Sequence, residues 1–271
     1  MKALFSSPGM IRPLASIAFN TYREAVRNKI LYSLLFFALL IIMSALAVGR
    51  LTLHEEVRTI RDIGLFGIDL FGVIIAIFVG VNLLYKELDL KTVYTILPKP
   101  LWRWEFVLGK WLGMLLTLAV QMAVMGVVLA IVLFAQGSGF DVPTAKAVWL
   151  LFVNVMLVTS IAVFFSAFSS PFLSGFFALG CFVVGRSVPD IRALGEKLGA
   201  GARAALNFGC DLVPNLHLFY PSGAIVGAEQ VSVHRQFVGA DYLLSATGYG
   251  IAYSLVVLVL AMLIFRKRDF V

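Results

Sequence analysis

Six long apolar runs, set apart by short polar or Pro- and Gly-containing intervals, organise this chain: 30–49, 63–84, 112–134, 147–168, 172–188 and 242–265. Each meets or approaches the ~20 residues that a helix needs to cross a hydrocarbon core. Only a segment that satisfies its own backbone hydrogen bonds can sit there. The pattern therefore predicts an all-α integral membrane protein with six transmembrane helices. The fifth run is the shortest, and extension or tilt would fit it to the bilayer.

The intervals carry their own patterns. Ahead of the first run, Leu14, Ile17, Ala18, Tyr22, Ala25 and Val26 recur at helical spacing, with Asn20, Arg23, Glu24, Arg27 and Asn28 opposite. That spacing predicts an interfacial amphipathic helix within 11–29. Between the second and third runs, 85–111 is charged and broken by prolines, too polar for hydrocarbon. Within it Leu90, Val93, Tyr94 and Leu97 predict a short helix over 87–97, ended by Pro98, with Pro100 holding the next step extended. Trp102, Trp104 and Trp111 surround the return to the membrane, where indoles favour the interface. Gly109 and Gly113 permit a close helix approach there. Ser169, Ser170 and Pro171 make a tight turn between the fourth and fifth runs. The stretch 186–241 is too apolar for a tether and predicts an ordered outer cap segment before the sixth span. In it, Asp190 would cap a helix carrying Ile191, Leu194, Leu198, Ala202 and Ala205, and Pro214 and Pro221 would make turns.

Composition sharpens the class. The chain has 271 residues, 61% of them hydrophobic and only 14% charged, against roughly 45–50% and 25% in soluble domains. The spans leave no room for a second globular domain, so 1–271 reads as a single transmembrane unit. The net charge of +7 comes from Lys and Arg beside the spans, not from one patch, which argues against nucleic acid. Lys2, Arg12, Arg23, Arg27 and Lys29, the five Lys and Arg of the 85–111 insert, and Arg266 to Arg268 outweigh the short loops opposite. Both termini and the insert are therefore expected on the cytoplasmic side. The N-terminus lacks the continuous apolar core of a cleavable signal peptide. The two cysteines, Cys181 in the fifth run and Cys210 in a loop, give neither a disulfide framework nor zinc spacing.

Candidate chemistry is sparse. No catalytic constellation and no metal-ligand spacing stand out: His54, His217 and His234 are isolated from one another. There is no G-x-x-x-x-G-K-[ST] phosphate loop, because Gly109-Lys110 is followed by Trp111. The chain is thus expected not to be an enzyme, and any ATP would bind another chain. Ser44, Asn82, Gln121, Asn154, Thr159 and Ser160 are scattered through the spans and suit helix–helix hydrogen bonds. Asp69 lies near the outer end of the second run, where an intramembrane carboxylate is either functional or a packing or water-exposed group.

Tyr85-Lys86-Glu87, Lys91-Thr92, Leu97-Pro98, Pro100, Arg103, Phe106 and Gly109-Lys110 resemble the signature after the second span of type-2 ATP-binding-cassette permeases. Leu212-Val213-Pro214-Asn215-Leu216 and Phe265-Arg266-Lys267-Arg268-Asp269-Phe270 are similar to the branch of nitrous-oxide-reductase maturation and gliding-motility permeases. The resemblance spans nearly the whole chain, with the apolar outer segment 186–241 as its departure. It implies a permease of a bacterial inner membrane that pairs with a second copy or a homologous permease and docks two ATPase subunits carrying ATP and Mg. The insert would then be a coupling helix, with Lys86, Glu87, Asp89, Lys91, Thr92, Arg103, Glu105 and Lys110 as its coupling residues. Export of a lipidic, amphipathic or large substrate is the leading expectation. The alternative is a mechanotransmission or scaffold protein that passes ATPase strokes to a periplasmic partner.

Overall fold

The computed structural model of the chain describes residues 11–51, 56–89, 103–139, 141–195, 197, 200–220, 225–226, 229–230 and 239–267. The helices are α1 (Ile11–Val26), α2 (Lys29–Gly49), α3 (Glu56–Asp89), α4 (Arg103–Ala135), α5 (Val142–Ser166), α6 (Pro171–Arg186), α7 (Val188–Gly195), α8 (Ala200–Leu212) and α9 (Ala240–Lys267). A 3-10 turn, Leu216–Phe219, and a two-residue hairpin of Ile225–Val226 with Glu229–Gln230 complete them. This is an all-α architecture of a multi-span membrane protein. Five of the described helices are long and apolar enough to span alone, and α6 with α7, bent by 60°, brings the number to six if the pair counts as one broken span. The break falls at Ser187, which leaves helical geometry at φ −90°, ψ 6°. Pro189, two residues on, has no N–H to continue the α6 ladder, which is the usual cause of such a kink.

The centre of the bundle is α5. Every residue from 153 to 163 is buried, as expected of a helix apolar on all sides, and α3, α4, α6 and α9 pack around it. The outer helices leave apolar side chains uncovered, among them Phe36, Phe37 and Leu40 of α2 and Val256, Val259 and Leu263 of α9. In hydrocarbon these face lipid and need no further cover. Polar groups in the spans divide into two kinds. Trp111 Nε1 donates to Ser160 Oγ (2.9 Å) and Trp149 Nε1 to Thr247 Oγ1 (3.1 Å), joining helices. Ser44, Asn82 and Thr159 instead bond back to carbonyls of their own helix, contrary to the interhelical role their spacing suggested.

Two helices outrun the bilayer. α3 has 34 residues and α4 has 33, about 50 Å each at 1.5 Å per residue, against a hydrocarbon core of about 30 Å. The Arg61–Asp141 ion pair (2.9 Å) lies near one end of the pair. At the other end, where 90–102 joins them, both helices project beyond their apolar runs, by residues 85–89 of α3 and 103–111 of α4. Glu87 and Asp89 continue α3 instead of opening a separate helix, and the remainder of the expected 87–97 helix lies outside the described residues.

The described stretch after α6 is largely helical. It folds as two helices, α7 and α8, not as one helix running on from Asp190, and Cys210 lies buried in α8, not in a loop. Arg192 and Asp211 (2.8 Å) tie the pair together. The chain then climbs along α9: Tyr253 Oη donates to Leu212 O (3.0 Å), Tyr249 Oη accepts from Asn215 N (3.1 Å), and Tyr242 Oη donates to Leu218 O (2.7 Å). From Tyr242 to Tyr253 the α9 axis advances about 16 Å, so the chain from Leu212 to Leu218 runs alongside that length of the last span. The turn buries Leu216 and Phe219 against α5 and α6, whereas α8 packs on α7 and leaves Phe208 and Leu212 exposed.

Candidate functional site

Three regions concentrate unusual side chains. On the side where α3 and α4 project, Lys86, Glu87 and Asp89 occupy the final turns of α3, and Arg103 opens α4. Lys91, Thr92 and Trp102 lie outside the described residues. Glu105 and Lys110 are buried, and Lys110 Nζ lies 3.5 Å from Glu24 Oε2 of α1. Lys110 thus faces the seam with α1. Trp104 is partly exposed at the start of α4, as an interfacial indole would be. Trp111 is not: it is 7% exposed and hydrogen-bonded to Ser160 inside the bundle. About two helical turns separate the exposed indole from the buried one, and residue type alone does not distinguish the two.

The α1–α4 seam depends on the small residues. A Cβ on Gly109 would stand 2.9 Å from Ile17 Cβ, and one on Gly113 would stand 2.5 Å from the Ala18 carbonyl. Thr21 is fully buried against this strip and donates to Ile17 O at 2.9 Å. Close backbone approach at small residues is the ordinary means of helix association in membranes. The amphipathic helix is thereby fastened to α4 along the projecting end.

A buried polar cluster lies in the half of the bundle away from the 90–102 junction. Asp69 of α3 accepts from Asn154 Nδ2 of α5 (2.9 Å) and pairs with Arg186, the last residue of α6. The Arg186 guanidinium also lies 3.6 Å from the centre of the Tyr220 ring. Four segments thus meet on one ion pair. The Asp69 side chain is 3% exposed and that of Arg186 27%. Burial lifts the Tyr220 hydroxyl above its ordinary value, with Arg186 pulling it back. Burial also lowers His217, with Asp190 opposing, so both rings are neutral near pH 7. Asp69 was visible in the sequence, but Arg186 and Tyr220 were not marked. The usable signal was a lone cation ending a short apolar run, since an intramembrane charge requires a partner.

Between this cluster and the 90–102 end, a groove of about 540 Å³ lies between α3 and α6. It is lined by Ile74, Ile77, Phe78, Val81 and Asn82 on one side and by Pro171, Phe172, Gly175, Phe176 and Leu179 on the other. Its wall is almost wholly apolar, with Asn82 at the inner end. Among the described residues no cluster of His, Cys, Asp or Glu could hold a metal ion.

Comparison with known proteins agrees with this architecture. The family model described as ABC-2 family transporter protein matches residues 15–270. No individual curated protein matches the chain.

Proposed function

We propose an exporter role for this chain, which belongs to the ABC-2 family of membrane transporter proteins. Members are non-catalytic permease subunits without a nucleotide-binding motif, and membership implies an ATPase partner and an oligomeric assembly. Beyond that, our reading is a permease dimer of a bacterial inner membrane, with both termini cytoplasmic. Two ATPase subunits, carrying ATP and Mg, would dock where α3 and α4 project. The observation that carries the reading is the pair of helices running on past their apolar runs, by about 8 Å for α3 and about 14 Å for α4, and joined by 90–102. Rods of that kind can pass a rigid-body displacement from a docked partner into the second and third spans. The apolar α3–α6 groove supports a lipidic or amphipathic cargo, because it offers acyl chains a wall and almost no polar anchor.

The test is charge reversal at the junction. Glu87→Lys, Lys91→Glu and Arg103→Glu are each expected to weaken co-purification with the ATPase by about tenfold, or to uncouple ATP hydrolysis from lipid, because like charges replace complementary ones. If all three leave assembly and activity intact, the junction is a solvated loop and the coupling role falls.

Orientation has its own test. Single cysteines at Lys99 and Arg268 should react only with membrane-permeant reagents in intact cells, whereas one at Ser138, in the α4–α5 turn, should react with impermeant ones. Labelling of position 99 from outside would reverse the topology.

A second reading is mechanotransmission to a periplasmic partner, in line with the resemblance to the nitrous-oxide-reductase maturation and gliding-motility branch. It is favoured by Leu194, Phe208 and Leu212, which α7 and α8 leave exposed. ATP hydrolysis that responds to an outer protein and to no lipid would select it.

A further inference from the structure

We propose that the Asp69–Arg186 ion pair, roofed by Tyr220, is an outer gate that closes the α3–α6 groove and opens when cargo leaves outward. The proposal rests on the permease reading and deepens it. The groove and the ion pair are built on the same two helices. Ile74 and Ile77 line the groove on α3, and Asp69 stands one to two turns outward on that helix. Leu179 marks the outer part of the groove on α6, and Arg186 stands about two turns outward of it. The two helices are thus parted around the groove and cross-linked directly above it. Anything passing outward between them meets that cross-link.

The geometry suits a reversible contact. Arg186 ends α6 at the 60° break, where the helix ladder stops. Its side chain already has partial access to solvent, whereas Asp69 has almost none. On opening, Arg186 can move toward water while Asp69 keeps its bond from Asn154 Nδ2. Asn154 Oδ1 is buried without a partner among the described residues, and water admitted by the opening would satisfy it. On the outer side Tyr220 lies against the guanidinium, and a Cβ on Gly185 would stand 2.5 Å from the Pro214 carbonyl. The returning chain therefore presses on the closed gate. An outward swing of this segment would release Tyr220 and Arg186 together.

The test uses the full-length chain in intact cells, with Cys181 and Cys210 replaced by serine. A reporter cysteine is placed in the groove as Gly175→Cys, where the nearest neighbour is the Ile77 side chain at 3.8 Å. Its labelling by an impermeant thiol reagent from outside is slow while the gate is shut. Asp69→Asn keeps the shape and removes the charge, and should speed that labelling by about tenfold or more. Asp69→Glu, which keeps the charge, should stay near the parent. Tyr220→Ala leaves no buried charge behind and serves as the second variant, with a smaller acceleration. Unchanged labelling in both Asp69→Asn and Tyr220→Ala overturns the gate. The labelling requires no ATPase, so that failure is separable from failure of the permease reading, which co-purification reports.

Discussion

Arg186→Ala should destabilise the protein by about 3–5 kcal/mol, the usual cost of stripping one partner from a buried ion pair. Asp69 would remain 3% exposed with only the Asn154 amide beside it, too little to hold a carboxylate in a low-dielectric interior. Thermal unfolding in detergent measures the loss. The reverse truncation should be gentler. With Asp69→Asn, Arg186 can turn to the solvent that it partly reaches already. A double variant, Asp69→Ala with Arg186→Ala, should recover part of the single-variant loss, because no lone charge remains. Equal unfolding temperatures for Arg186→Ala and the parent would mean that the pair contributes nothing to the fold.

Gly113→Val should cost about 1–3 kcal/mol, the range for overpacking a close interface. The added carbon meets the Ala18 backbone carbonyl at 2.5 Å and Thr21 Cβ at 2.6 Å. A backbone atom cannot rotate away, so α1 must shift as a whole. The shift would part Lys110 from Glu24, now 3.5 Å apart, and open two charged side chains that the seam keeps from water. Gly180→Val is the matched control, because a Cβ there meets nothing within 4 Å, and an exposed substitution of that kind usually stays within about 0.5 kcal/mol. Unfolding temperature and protease sensitivity of the N-terminal helix, read together, separate the two. A Gly113→Val protein that matches the control would show α1 to be loosely held.

Much of the architecture was legible because hydrocarbon imposes a length. A run of about 20 apolar residues has few alternatives to a helix in a bilayer, and five of the six expected runs became continuous helices. The fifth was also the shortest, and there the pattern misled. An apolar run ending in Arg186-Ser187-Val188-Pro189 reads as a short span by composition, whereas backbone chemistry at Pro189 bends it. The amphipathic pattern of 14–26 correctly marked a helix with one face to bury. It did not say that the face would meet α4, nor that Thr21 would sit inside it.

What the sequence determined by itself was the class: all-α, multi-span, with no phosphate loop of its own and a polar insert between the second and third spans. These follow from composition and periodicity, which are local properties. Only the tertiary structure decided which charges were partners. Asp69 and Arg186 are 117 positions apart, and nothing in either neighbourhood names the other. Lys110 and Glu105, expected among the coupling residues, are both buried, which their residue types did not announce. Trp111 looked like an interfacial indole and proved to be a hydrogen-bond donor to α5. A side chain's chemistry is written in its residue type. Its depth and its partner come from how helices cross, and that is set by packing over the whole bundle.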